Sequence, residues 1–210
     1  MIIWELEQKN CNLQKQKKII MRTSALLIAL VVGFLTSSVS AQETVWFDAN
    51  WNLTEKDKAI YYRPTPKKQN NGFWIVDYYM NGIKQMEGYS SVLDVNNEKF
   101  DGVIKYYFST GILYQEVRYS KGEIEGVRKI YFKSGKIKEV RSYEKDKMEG
   151  RYLEYYKTGE LLTTGDYEDN LKEGVWKTYY KNGKMKERGK YEVGKKIGIW
   201  KTFYKNVYKK

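Results

Sequence analysis

A glycine recurs every 24 residues in this chain, at Gly102, Gly126, Gly150, Gly174 and Gly198, and this period constrains the fold more than any other feature. A second glycine follows nine places later, at Gly111, Gly135, Gly159 and Gly183. A tyrosine stands seven residues before the next opening glycine, at Tyr119, Tyr143, Tyr167 and Tyr191. A fixed period of this size marks an array of units, each stabilised mainly by its neighbours.

The unit from Gly174 to Tyr191 has two runs rich in aromatic and β-branched residues flanking Asn182-Gly183, which is a hairpin signal. The other copies place Gly111, Gly135 and Gly159 at this corner, and Gly82 marks a degenerate earlier copy. A two-residue turn makes Trp176 face Gly189, Thr178 face Glu187 and Tyr180 face Met185. The same arithmetic sets Tyr152 opposite Gly165, Tyr156 opposite Leu161 and Phe132 opposite Ile137. A ring over a cross-strand glycine compensates for the missing side chain, so this side is the expected packing face. A three-residue turn with a bulge is the alternative, and it shifts the register. The fold class that follows is all-β: an elongated, twisted, single-layer antiparallel sheet of tandem 24-residue hairpins. The array spans 72–210, and the aromatic, aperiodic segment 42–71 is its expected N-terminal cap.

The opposite side carries a column of Lys105, Lys129, Lys177 and Lys201, broken by Leu153. The next column holds Tyr107, Tyr131, Tyr155, Tyr179 and Phe203. Lysine stems and tyrosine rings cover an exposed sheet while their tips stay in water. The same residues also make a contact surface for an acidic or amphipathic partner, with rigid tyrosines as anchors. Lys105, Tyr107, Lys129, Tyr131, Tyr155, Lys177, Tyr179 and Lys201 are therefore the candidate partner-binding face.

From Met21, a basic residue, the apolar run Ala25 to Leu35 and the small-residue stretch ending Ala41-Gln42 have the parts of a secretory signal peptide. Cleavage is expected after Ala41, with Met21 as an alternative start, which makes the protein periplasmic or extracellular. The apolar run falls short of the ~20 residues of a membrane span. The one cysteine, Cys11, precedes the run and leaves with it, so packing and backbone pairing must supply stability without disulfides. The net charge of +12 favours anionic partners such as lipid headgroups, envelope polymers or an acidic protein; export argues against nucleic acid.

The chain has no histidine, so neither a Ser-His-Asp nor a Cys-His arrangement can form, and the usual zinc sets are lacking. No phosphate-binding glycine loop precedes a helix. The acid pairs Glu123 with Glu125 and Glu144 with Asp146 read as solvated turns between units. Residues 90–101 carry six extra residues, with Asp94, Asn96, Asn97 and Asp101 among them, but lack the order of a calcium loop. A longer surface turn is expected there. The reading is of a non-enzymatic chain with no cofactor and no metal.

The phrase Tyr-x₆-Gly-x-Trp-x₃-Tyr-x₃-Gly at Tyr167–Gly183 resembles the membrane occupation and recognition nexus (MORN) repeat, in the bacterial variant form of YwqK-like antitoxins. The segment from Tyr191 to Trp200 is a second match. Arg128 and Tyr152 depart from the tryptophan of Trp176 and Trp200, and Arg141 departs from the glycine of Gly165 and Gly189. The resemblance implies antiparallel β-ribbons that act as scaffolds, self-associate or bind partners. The expected function is a secreted or periplasmic scaffold that binds a protein. The alternatives are an antitoxin or immunity protein, and an envelope binder of anionic lipid or polysaccharide.

Overall fold

The computed structural model describes residues 44–95 and 97–204. The segment expected to be a signal peptide, with Cys11, Met21 and Ala41, lies outside them, as do Asn96 and the stretch 205–210.

The period is realised as one open antiparallel sheet of 14 strands. The strands are β1 (Val45–Phe47), β2 (Tyr61–Arg63), β3 (Lys67–Gln69), β4 (Gly72–Tyr79), β5 (Lys84–Ser90), β6 (Phe100–Tyr107) and β7 (Leu113–Ser120). They continue as β8 (Glu123–Tyr131), β9 (Ile137–Glu144), β10 (Lys147–Tyr155), β11 (Leu161–Glu168), β12 (Leu171–Tyr179), β13 (Met185–Glu192) and β14 (Lys195–Thr202). Strands β4 to β14 neighbour one another in chain order, β2 and β1 extend the sheet beyond β4, and β3 pairs with β4 off this path. The helical content of the described residues is one 3₁₀ turn, Lys56–Lys58.

Two different turns alternate along the sheet. At the glycine corner, Gly183 donates its N–H to the Tyr180 carbonyl and Tyr180 donates to that of Lys184. Three residues therefore close the loop, with Gly183 at φ 77°, and Lys186 bulges out between the Thr178–Glu187 and Tyr179–Met185 pairs. This corrects the two-residue turn. Met185, Leu161 and Ile137 pair with Tyr179, Tyr155 and Tyr131, not with Tyr180, Tyr156 and Phe132. Farther from the tip the bulge cancels the extra loop residue, so Trp176 pairs with Gly189, Thr178 with Glu187 and Tyr152 with Gly165.

The two-residue turns lie between units. Lys145-Asp146, Asp169-Asn170 and Val193-Gly194 all have positive φ at both positions, the mark of the type I′ turn that matches strand twist. Each is tied to the turn before it. Asp146 N–H donates to the Ile124 carbonyl, Asn170 to Met148 and Gly194 to Lys172, at 3.0–3.1 Å. Glu125, Glu149 and Glu173 accept the N–H groups of Lys145, Asp169 and Val193 at 2.9–3.0 Å.

The opening glycines sit at a second bulge. Between Thr164 and Asp166 the β11–β12 register slips around Gly174, whose φ is 68°. The slip carries Trp176 over Gly165 of the preceding strand, and Trp200 lies over Gly189 in the same way. The ring-on-glycine contact thus joins consecutive units, whereas the strand pairing placed it within one hairpin. At two joints both partners differ: Val117 pairs with Arg128, and Arg141 with Tyr152; at the β5–β6 joint Gly88 is kept and Ile104 covers it. Tyr152, Tyr167, Trp176, Tyr191 and Trp200 form a run of tilted and edge-on ring contacts at 5.1–5.8 Å.

Nearer the N-terminus the same face packs Ile75, Met86 and Ile104 beneath Phe73, Phe100, Tyr106 and Tyr119. Beside this cluster, buried Arg63 holds Asp77 through two bonds of 2.6 and 2.8 Å, and Glu98 at 2.7 Å. Burial works against the guanidinium charge, but the two carboxylates outweigh it and raise the Arg63 pKa. Glu98 belongs to the insertion, which leaves the sheet at Ser90; the buried Ser90 hydroxyl accepts N–H bonds from Val92 and Lys99. The six extra residues thereby reach back to β2.

Candidate partner-binding face

Register places all eight candidate residues in two rows. The first row runs Glu87, Lys105, Glu116, Lys129, Val140, Leu153, Thr164, Lys177, Arg188, Lys201, each paired with the next across β5 to β14. In the second, Tyr107 pairs with Leu113, Tyr131 with Ile137, Tyr155 with Leu161 and Tyr179 with Met185.

The row changes character along its length. At its N-terminal end acid and base alternate, with Lys105 between Glu87 and Glu116, and Lys129 at 3.9 Å from Glu116. The tyrosines there are engaged: Tyr107 donates its hydroxyl to Glu87 at 2.5 Å, and Tyr131 donates to Glu116 at 2.7 Å. Partial burial pushes the Glu87 pKa up, but bonds from Tyr107 and Lys84 and the nearby Lys105 outweigh it and leave it lowered. Burial, then Glu116, pushes the Tyr131 phenol up to about 12; burial, then Glu87, raises Tyr107 as well. The middle of the row, Val140, Leu153 and buried Thr164, is uncharged.

At the C-terminal end three cations stand side by side. Lys177 pairs with Arg188, and Arg188 with Lys201. Among the described residues no carboxylate forms an ion pair with any of them. Val175 and Ile199, 51% and 83% exposed, lie in the same stretch of β12 and β14. The predicted face therefore divides into a self-neutralised half with Lys105, Tyr107, Lys129 and Tyr131, and a half with open positive charge at Lys177 and Lys201. Tyr155 falls in the uncharged middle and Tyr179 beside the cations. Sequence reasoning missed Glu87 and Glu116. A signal was present for Glu116, which lies three periods before Arg188.

The period, the glycine bulges and the ring-over-glycine contacts occur together in residues that a family model also matches, at 100–121, 124–145, 148–169 and 172–192. These four units are similar to the MORN repeat variant. The MORN-type units span β6 to β13, and each matched segment starts at one between-unit turn and ends at the next. They build a repeat scaffold whose rows of side chains differ from unit to unit while the backbone repeats. No curated protein matches the chain. Among the described residues no cluster of three metal-ligating side chains is present, and no helix is long and apolar enough to cross a membrane.

Proposed function

We propose that this chain is a non-enzymatic, exported repeat scaffold, secreted or periplasmic, that binds an acidic protein partner through the C-terminal half of its basic face. One observation carries the reading: Lys177, Arg188 and Lys201 adjoin in one row without a carboxylate opposite, while Lys105 and Lys129 face Glu87 and Glu116. Like charges placed directly opposite destabilise a sheet, and an anionic surface laid over them offsets that cost. Tyr179 adjoins them as a rigid anchor that loses little conformational entropy on binding. Export is supported by the basic, apolar and small-residue succession before Gln42. The absence of histidine, and of cysteine after Cys11, supports a role without nucleophilic catalysis.

Charge reversal separates the two halves. Residues 42–210 with Lys177→Glu, Arg188→Glu and Lys201→Glu should lose a specific protein retained by the wild-type chain from an envelope extract. The pair Lys105→Glu and Lys129→Glu should keep it. Equal retention by both variants, recovery of no specific protein, or retention of anionic polysaccharide or lipid vesicles in its place would overturn the proposal.

A further inference from the structure

Three residues before each corner glycine the array places a ring: Tyr79, Phe108, Phe132, Tyr156 and Tyr180. Where this ring is tyrosine, its hydroxyl donates to a carbonyl of the following hairpin. Tyr79 reaches Tyr107 at 2.8 Å, Tyr156 reaches Tyr179 at 2.8 Å, and Tyr180 reaches Phe203 at 3.0 Å. Phe108 and Phe132 have no hydroxyl, so the tips of the β6–β7 and β8–β9 hairpins lack this tie. The tip of β8–β9 is joined onward instead by Lys136 Nζ, which donates to the Thr158 carbonyl at 2.8 Å.

A cavity of about 430 Å³ opens where the tie is missing, within the ~300–1,000 Å³ of small-molecule sites. Phe108, Tyr114, Ile130 and Phe132 wall it, and Lys133, Lys138 and Lys157 stand around them, with no carboxylate in the lining. Tyr114 and Lys138 are the bulged residues of their hairpins, so the irregularity that closes each corner also supplies a wall and a cation. The Phe108 and Tyr114 rings lie 5.0 Å apart, and Lys133 Nζ stands 5.7 Å from the Phe108 ring. Tyr131 also touches the cavity, but its hydroxyl is committed to Glu116.

We propose that this cavity binds a small apolar carboxylate, its body between Phe108, Tyr114, Ile130 and Phe132 and its anionic head on Lys133, Lys138 and Lys157. Charge complementarity selects the head, since three cations border an apolar space without a balancing acid. Aromatic walls favour a flat or short body that can meet ring faces and edges. The site is distinct from the row of Lys177, Arg188 and Lys201 and does not depend on it.

Titration calorimetry on the exported chain, residues 42–210, tests this with naphthoate, hexanoate and the neutral analogue naphthylmethanol. Saturable one-to-one binding of an acid is expected; tighter naphthoate assigns an aromatic body, tighter hexanoate an aliphatic one. The neutral analogue should bind roughly tenfold more weakly, and so should the acid to the variant Lys133→Ala, Lys138→Ala, Lys157→Ala, as loss of a few exposed charge contacts implies. Phe108→Tyr with Phe132→Tyr follows the pattern of the other corners, so it should fold, gain the missing ties and lose the ligand. No saturable binding of either acid, equal binding of the neutral analogue, or binding unchanged in the lysine variant would overturn the site.

Discussion

The indole of Trp176 rests on Gly165 so closely that a Cβ placed there would stand 2.2 Å from the ring. Trp176 is only 4% exposed, and its N–H donates to the carbonyls of Asp166 and Glu173, both at 3.2 Å. The ring is fixed by both units, so it cannot move aside for a methyl group. Gly165→Ala should destabilise the fold by about 1–3 kcal/mol, the cost of overpacking. At Gly174 a methyl group would meet nothing within 4 Å, and alanine there should cost only the ~1 kcal/mol of a strained backbone. Denaturant midpoints that reverse this order would show that the ring contact does not govern the joint.

Val193 occupies a left-handed position, φ 48°, where Asp169 stands one unit earlier. A β-branched residue is strained there, and its side chain is 64% exposed, so little packing offsets the strain. Val193→Asp should stabilise the chain by roughly 1 kcal/mol. An unchanged or lowered melting temperature would refute this.

The ion cluster of Arg63 is buried and its charges answer one another. Arg63→Met leaves the carboxylates of Asp77 and Glu98 without their shared cation and should cost about 3–5 kcal/mol. Replacing Arg63, Asp77 and Glu98 together by Met, Leu and Gln should cost much less, because no uncompensated charge remains. Equilibrium unfolding of the two variants decides the matter; equal losses would mean that packing, not charge, makes the site fragile.

Burial raises the phenol pKa of Tyr119, Tyr152 and Tyr167, and burial with a neighbouring carboxylate raises Tyr107 and Tyr131. The folded chain therefore holds these protons more tightly than the unfolded chain does. Their contribution to stability is complete below the ordinary phenol pKa of about 10 and falls as pH rises through the folded values, about 12 for Tyr131. Unfolding followed by circular dichroism should set in above pH ~10, together with a cooperative rise in phenolate absorbance. Phenols that titrate normally while the sheet stays intact would contradict it.

The repeated glycines and the Asn182-Gly183 corner were enough to read the two-strand unit and the all-β array. Register far from the corner was legible for a specific reason: a two-residue turn, and a three-residue turn followed by a bulge at Lys186, give the same count by Thr178. Near the tip the two diverge, and Tyr180 with Met185 was misplaced. The bulge at Gly174 was not legible, because it adds two residues, and an even number leaves the strand's alternating pattern unchanged. Without it the ring over Gly189 was sought at Trp176, when it belongs to Trp200. The between-unit turns were expected, but their left-handed two-residue form was hidden, since Lys145 and Val193 are not residues that advertise a left-handed backbone. The candidate face was found as a column of lysines; its division into halves needed the intervening strands, where Glu116 and Arg188 occupy equivalent places.

The glutamates and tip tyrosines reach forward to the next unit, while Trp176 and Trp200 reach back over Gly165 and Gly189. Glu125, Glu149 and Glu173 each secure the turn that comes after them, and Tyr156 and Tyr180 each fasten to the hairpin that follows. A unit is thus locked to its neighbours. Unravelling should therefore pass from hairpin to hairpin, each released unit unlatching its neighbour.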